Sequence, residues 1–239
     1  MARLQRIAIA SSQFQKEQII LTQEQQHYLV RVLRLREGDR FIAMDGIGKW
    51  WIAQLQGTQA QVLEPLEVKT ELPVSINLIV ALPKGNAFDE VVRYCTELGV
   101  AVIAPVISDR TLLNPSPQKL ERWRRIAQEA AEQSERSFVP TILEPIDFSS
   151  SLVDFQRPTN QQYICEARGN YPHLRDCLLN KKEMTITIAI GPEGGWTQEE
   201  VECAIAANFQ PVSLGRRILR TVTAPIVALS IVAAQLESI

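Results

Sequence analysis

The chain has 239 residues, 46% of them hydrophobic and 22% charged, with a formal net charge of −2. That length gives ample core for one large domain or a small one joined to a larger one, and the charge balance excludes nucleic-acid binding by bulk electrostatics, so any such contact must come from local patches. The sequence shows no leader peptide and no apolar run of about 18 residues, which argues against a membrane span, and its four cysteines (Cys95, Cys165, Cys177, Cys203) form no C-x-x-C pair, which argues for reduced thiols in a cytosol rather than disulfides or zinc.

In chain order, "RIAIA" reads as a strand, and "TQEQQHYLVRVLRL" as a helix opened by a Thr22/Gln25 capping box and closed at Gly38. "DRFIAMDG", "KWWIAQLQG" and "QAQVLEPLEV" then read as strands separated by the Asp45-Gly46 and Gly57-Thr58 turns, which predicts a small β-barrel with one helix. Pro65 and Pro73 bracket the exit, so residues 1–72 are expected to form one domain and 73–239 another. From Val74 the pattern changes. "VSINLIVAL", "VAVIAPVI", "QQYICEA", "TITIAI" and "QPVSLG" are buried-strand runs. Helical segments separate most of them: "AFDEVVRYCTEL" ending at Gly99, Lys119–Arg136, and "TQEEVECAIAANF" opened by a Thr197/Glu200 capping box. Apolar strands alternating with helices predict an α/β fold whose parallel sheet is covered on both faces. The last segment, "TAPIVALSIVAAQLE", is apolar on nearly every side, with Thr223 as N-cap and Pro225 in the first turn. Such a helix must be buried on more than one side, and a subunit interface is expected there.

Two strand-to-helix loops carry the candidate chemistry. "IGPEGGW" places glycines at a strand's carboxyl end, where ligands bind in open α/β sheets and where glycine lets backbone approach a ligand. It matches neither the dinucleotide nor the phosphate-loop pattern, and a loop with a glutamate and no lysine suits a neutral or cationic ligand. On this stretch alone, a glycine-rich turn without a ligand stays open. "SLGRRILRTVTAP" repeats the layout with a basic segment.

These two loops, about twenty residues apart, resemble the paired cofactor loops of the SPOUT methyltransferases. More narrowly, the chain resembles the RsmE family, which methylates N3 of a uridine in 16S ribosomal RNA. The resemblance extends to His27, Val32, Leu33 and Arg34, to Lys84, to "TELGV" (Thr96 to Val100) with Ile103, Pro105 and Arg110, and to Trp123, Glu129, Gln133, Arg136 and Pro140. It departs from the family pattern at Tyr94-Cys95, where a lysine is usual, and at Val222, where a glutamate is usual.

The resemblance implies a SPOUT-type parallel sheet with a C-terminal trefoil knot, a rare exception to un-knotted topology, behind an N-terminal PUA-like RNA-binding β-barrel. It implies S-adenosyl-L-methionine as cofactor, held by Leu82, Ile190, Gly191, Pro192, Glu193, Gly194, Gly195, Leu214, Gly215, Ile218, Leu219, Arg220 and Thr223. Arg220, Arg136 and Arg110 are the candidates for stabilising negative charge on the uracil carbonyls. Arg31, Arg34, Arg36, Lys84, Arg110, Arg125 and Arg136 are the candidate RNA contacts. Trp50 and Trp51 could stack a base, although strand alternation assigns one of them to the core. Neither His27 nor His173 suits a general base. The expected partners are 16S ribosomal RNA or the small subunit and a second copy of the chain, with no membrane, no metal and a cytoplasmic location. The runner-up is an RNA-binding module with a degenerate cofactor pocket. A nucleotide hydrolase lacks its phosphate lysine and metal cluster.

Overall fold

The computed structural model describes residues 4–111, 115–156, 160–178 and 185–237. The chain divides into two compact units, Met1–Glu71 with Ala131–Val139, and Leu72–Ala130 with Pro140–Ile239.

The first unit contains β1 (Arg6–Ala8), a short 3-10 turn, β2 (Phe14–Gln15), β3 (Gln18–Ile20), α1 (Gln23–His27), β4 (Arg40–Met44), β5 (Trp50–Gln56) and β6 (Gln59–Leu66). Its six strands run in the order β1-β4-β5-β6-β3-β2, with β1 parallel to β4 and the other pairs antiparallel. β1 and β2 end this path unpaired with each other among the described residues, so the expected barrel is a sheet with two edges. Alternation puts Phe41 and Ala43 into one cluster with Ile7, Ile19, Leu29 and Leu55, while Ile42, Met44 and Trp50 form a second. Trp50 is therefore core, and the half-buried Trp51 lies 4.7 Å from the Phe14 ring.

The Thr22 capping box is present, with Gln25 N–H donating to Thr22 Oγ1 at 3.2 Å. The helix stops far short of Gly38. One π-type turn, Tyr28–Val32, follows α1, and Arg34 then adopts φ +59°. The hairpin β2–β3 was not foreseen.

Residues 131–139 are recruited to this unit through side chains and through an antiparallel bridge of Phe138 with Ile47, where Gly48 N–H donates to Ser137 C=O at 3.0 Å and Val139 N–H to Gly46 C=O at 2.9 Å. Glu71 accepts from Arg136 Nη2 at 2.7 Å and Nε at 3.2 Å, and from the N–H groups of Ser137 and Phe138 at 2.7 and 3.2 Å. Arg6 pairs with Glu135 at 2.8 Å, and Ala8 N–H donates to Glu132 at 2.9 Å.

The second unit contains β7 (Ser75–Ala81), α2 (Ala87–Glu97), β8 (Val102–Ile107), α3 (Pro117–Gln133), β9 (Thr141–Ile142), β10 (Ile146–Asp147), α4 (Phe148–Asp154), β11 (Asn160–Cys165), α5 (Leu174–Cys177), β12 (Thr185–Ile190), α6 (Gln198–Ala206), β13 (Gln210–Val212) and α7 (Thr223–Leu236). The last turn of α3 falls in the first unit's share of the chain. The expected parallel sheet is present, in the order β10-β8-β7-β12-β11-β13, with β9 beside β8. Alternate strand residues serve two layers. Ile79, Ala104, Ile164 and Ala189 pack with Phe148 and Leu152 of α4 and Val201 and Ala204 of α6. On the other side α7 packs with α2, α5 and β12.

Helix α7 is indeed buried along much of its length, at Ala224, Pro225, Ala228, Leu229 and Val232, here by its own chain. Thr223 is not its N-cap. The cap is Val222 in helical geometry, and Arg220 C=O accepts from Thr223 and Ala224 N–H, both at 2.9 Å.

Candidate functional site

Cys165 of β11 lies in register with Ile190 of β12 and Val212 of β13, so three adjacent strands end at one level. A crevice opens just beyond them, where open α/β sheets bind ligands. Three loops line it: Glu166–Arg168 after β11, Gly191–Trp196 after β12, and a stretch from Leu214 to Thr221 after β13. Arg110, from the loop after β8, and Ala224 of α7 complete the lining.

The β12 loop is held by many bonds. Gly195 N–H closes a turn onto Pro192 C=O at 2.9 Å, and Gly195 has φ +71°, a conformation natural to glycine. Arg110 Nη1 donates to Gly194 C=O at 2.7 Å and Trp196 C=O at 3.2 Å. Lys84 N–H donates to Glu193 Oε1 at 3.1 Å. The Trp196 ring stacks on Phe148 with centroids 4.2 Å apart, and a Cβ on Gly191 would lie 3.2 Å from that indole. The capping box of α6 is present, with Thr197 N–H donating to Glu200 at 2.8 Å and Glu200 N–H to Thr197 Oγ1 at 3.2 Å.

The β13 loop has less to hold it. Gly215, at φ +117°, donates its N–H to Ser213 Oγ at 3.1 Å. Ile218 is 74% exposed. Thr221 is buried, and its Oγ1, like the Nε1 of buried Trp196, has no hydrogen-bond partner among the described residues. Buried polar groups are normally satisfied, so two such atoms in one lining point to a ligand's polar groups.

Of the residues expected to hold a cofactor, Ile190, Gly191, Pro192, Glu193, Gly194, Gly195, Leu214, Gly215, Ile218 and Leu219 line the crevice. Leu82, Arg220 and Thr223 are not in the lining. Leu82 is buried at the end of β7, while Arg220 and Thr223 are exposed. The three arginines chosen as charge stabilisers are not brought together in this crevice. Arg110 lines it and donates one Nη to two loop carbonyls. Arg136 is 4% exposed and ion-paired with Glu71 in the first unit, a structural task that leaves no free face for RNA. Sequence reading missed Arg168, Arg217, Trp196 and Thr221 in the lining. Arg217 sits one helical turn from Arg220 in sequence, and nothing in a non-helical loop tells which of the two turns inward.

Arg31, Arg34, Arg36 and Arg40 are all exposed and make no salt bridge among the described residues. Lys84 is exposed, and Arg125 lies 3.8 Å from Glu129. His173 caps α5, its Nδ1 accepting from Arg175 N–H at 3.2 Å, and His27 is exposed. Burial pushes the Cys165 thiol well above its ordinary pKa, with Glu166 adding to the rise, so this crevice residue stays a neutral thiol at physiological pH. Among the described residues no cluster of three or more acidic, His or Cys side chains could hold a metal, and no helix is long and apolar enough to cross a membrane. The crevice offers backbone groups, apolar side chains, the arginines Arg110, Arg168 and Arg217 and the carboxylates Glu166 and Glu193, a lining suited to binding and orienting a partly polar ligand.

The RNA methyltransferase domain model matches residues 70–233, and the RNA methyltransferase PUA domain model matches residues 21–63. The Synechocystis ribosomal RNA small subunit methyltransferase E is 48% identical over 238 residues, covering 98% of this chain and 78% of that protein. The Bacillus subtilis protein of the same name is 32% identical, covering 91% and 90%. A crystal structure of ribosomal RNA small subunit methyltransferase E from Neisseria gonorrhoeae bound to S-adenosyl methionine superimposes with a TM-score of 0.86 at 32% identity, covering 98% of this chain and 97% of that one.

Proposed function

Because the chain belongs to the family of ribosomal RNA small subunit methyltransferase E, we propose that it uses S-adenosylmethionine to methylate N3 of a uridine in 16S ribosomal RNA. The observation that carries this reading is the crevice at the aligned ends of β11, β12 and β13, walled by two glycine-bearing loops.

The residues present fit that donor. A Cβ at Gly195 would meet nothing within 4 Å, so backbone there faces open space. Leu214, Ile218 and Leu219 offer apolar faces to a purine, and Trp196 Nε1 and Thr221 Oγ1 are polar atoms without partners. Ile190, Gly191, Pro192, Gly194 and Gly215 complete the holding set, while Glu193 is engaged by the Lys84 backbone. When bound, S-adenosylmethionine supplies an electrophilic methyl group on a sulfonium sulfur.

The protein's own part is to orient the uracil and steady its charge. Loss of the N3 proton spreads negative charge onto the ring carbonyls, and Arg168 and Arg217 are guanidinium donors in the lining. Arg217 takes the role that sequence reading gave to Arg220. N3 lies on the pairing edge, so a paired uridine must be exposed first. The exposed arginines Arg31, Arg34 and Arg36 support phosphate contact by the first unit, residues 1–71 with 131–139, acting as a PUA-type RNA-binding domain. Residues 72–130 with 140–239 act as the methyltransferase domain.

The strand order supports a SPOUT-type trefoil knot. β12 inserts between β7 and β11, β13 lies outside β11, and α7 returns from that edge to pack on α2. Homodimerisation is supported by Ile226, Val227 and Ile231, which α7 leaves half-buried. A ribosomal substrate implies a cytoplasmic location.

Calorimetry with S-adenosylmethionine and tritiated-methyl transfer into small subunits lacking the modification test this together. The expected result is binding, incorporation, and a new reverse-transcription stop at one uridine. Cofactor bound without incorporation would overturn the enzyme in favour of an RNA-binding module.

A further inference from the structure

Three glycines in five residues make the Gly191–Gly195 stretch a poor candidate for rigidity, since glycine loses more freedom on ordering than any other residue. A ligand that had to order it would lose affinity accordingly. The loop is nevertheless bonded from outside at every residue from Gly194 to Thr197 save Gly195, which closes its own turn.

The bonds come from Arg110, Glu200 and Asp109. Arg110 places one Nη between the carbonyls of Gly194 and Trp196, two residues apart, and so fixes the Gly194–Gly195 and Trp196–Thr197 peptide planes on either side of the Gly195–Trp196 link. Its stem lies against the loop as well, for a Cβ on Gly194 would sit 3.1 Å from Arg110 Cδ. Glu200, which is 7% exposed, divides its carboxylate: Oε2 accepts from Thr197 N–H at 2.8 Å, and Oε1 accepts from Asp109 N–H at 3.0 Å. Thr197 Oγ1 donates to Asp109 Oδ2 at 3.3 Å and closes the link. The helix cap of α6 is thus tied to the residue preceding Arg110. The loop after β8 and the loop after β12 form one bonded frame.

From this frame we infer that Arg110 and Glu200 are positioning residues that hold the Gly194–Thr197 backbone in its ligand-receiving form, and that Arg110 does not touch the uracil. This rests on the methyltransferase reading for the identity of the ligand. A lysine at 110 keeps the charge, but its ammonium sits one bond closer to the backbone than an arginine Nη and is a rotatable point charge with no fixed plane to aim it at both carbonyls. Gly194 is not in the left-handed region, and the nearest atoms an alanine Cβ there would meet are those of the Arg110 stem. Both changes break the same contact and should couple.

The test measures S-adenosylmethionine affinity by calorimetry and methyl transfer to small subunits for Arg110→Lys, Gly194→Ala, the double variant and Glu200→Gln. Losing a charge-assisted bond predicts that cofactor Kd rises roughly ten- to hundred-fold in Arg110→Lys. At saturating cofactor, kcat, the RNA KM and the pH profile should stay near those of the unaltered protein, and the double variant should be little worse than the poorer single. Glu200→Gln, with one acceptor oxygen lost, should show the same pattern more weakly. An unchanged cofactor Kd with a fallen kcat, a raised RNA KM or a shifted pH profile would place Arg110 on the substrate and overturn the proposal. Additive single effects would do so too. Failure of the unaltered protein to bind or transfer would instead overturn the functional reading.

Discussion

The two walls of the crevice are made from the same parts, a strand end, glycines and a capped or buried helix, yet they are supported differently. The β12 loop is gripped by Arg110, backed by the stacked Trp196–Phe148 pair and anchored through Glu200. Along the β13 loop, Ile218 points to solvent and Thr221 keeps an unpartnered hydroxyl. One wall is ready before a ligand arrives, and the other gains its contacts from it. Preorganisation on one side lowers the ordering cost of binding, while the fewer internal contacts of the other leave groups free to meet a ligand.

Breaking the ready wall should have the largest effect. Gly191→Val drives a branched side chain into the Trp196 ring, and overpacking of this kind costs about 1–3 kcal/mol. Transfer should fall more than about a hundred-fold, with a lower melting temperature; calorimetry and thermal unfolding read both. Next, Arg217→Ala removes a charge donor from the looser wall. It should slow transfer roughly ten- to hundred-fold while cofactor affinity changes little, and an unchanged rate in single-turnover assays would remove it from the site. Thr221→Val leaves shape but no hydroxyl, and should weaken cofactor binding about five-fold without loss of stability. Smallest is Ile218→Ser. Its stability should stay within about 0.5 kcal/mol because the side chain is already in water, and only the liganded state should suffer, by a few-fold in Kd. Hydrogen exchange sharpens the contrast: adding cofactor should protect amides from Gly215 to Thr221 far more than those from Gly194 to Thr197. Equal protection of both would erase the distinction.

Much of this was legible in the sequence. Continuous apolar runs separated by helices gave the parallel sheet, because strands covered on both faces need no polar alternation. The boxes at Thr22 and Thr197 worked because capping is a local interaction. The glycine loops marked a strand-end site for the same reason. What failed was long-range. No local pattern says that β12 inserts between β7 and β11, or that Glu200 serves Asp109 as well as its own helix. Arg136 reads as a surface charge at a helix end, and only a carboxylate distant in sequence buries it. The short β2–β3 hairpin escaped the four strand runs read from sequence, and no local pattern in those runs tells which strands end the sheet.

The segment from Ala131 to Val139 carries a practical consequence. A fragment cut at the proline-marked exit near residue 72 would leave Glu71 stripped of four donors and Arg6 stripped of its counter-ion. The front portion is therefore not a cassette that can be lifted out by truncation. Grafting or separate expression must carry that returning nonapeptide along, by tether or by circular permutation, or accept a misfolded piece.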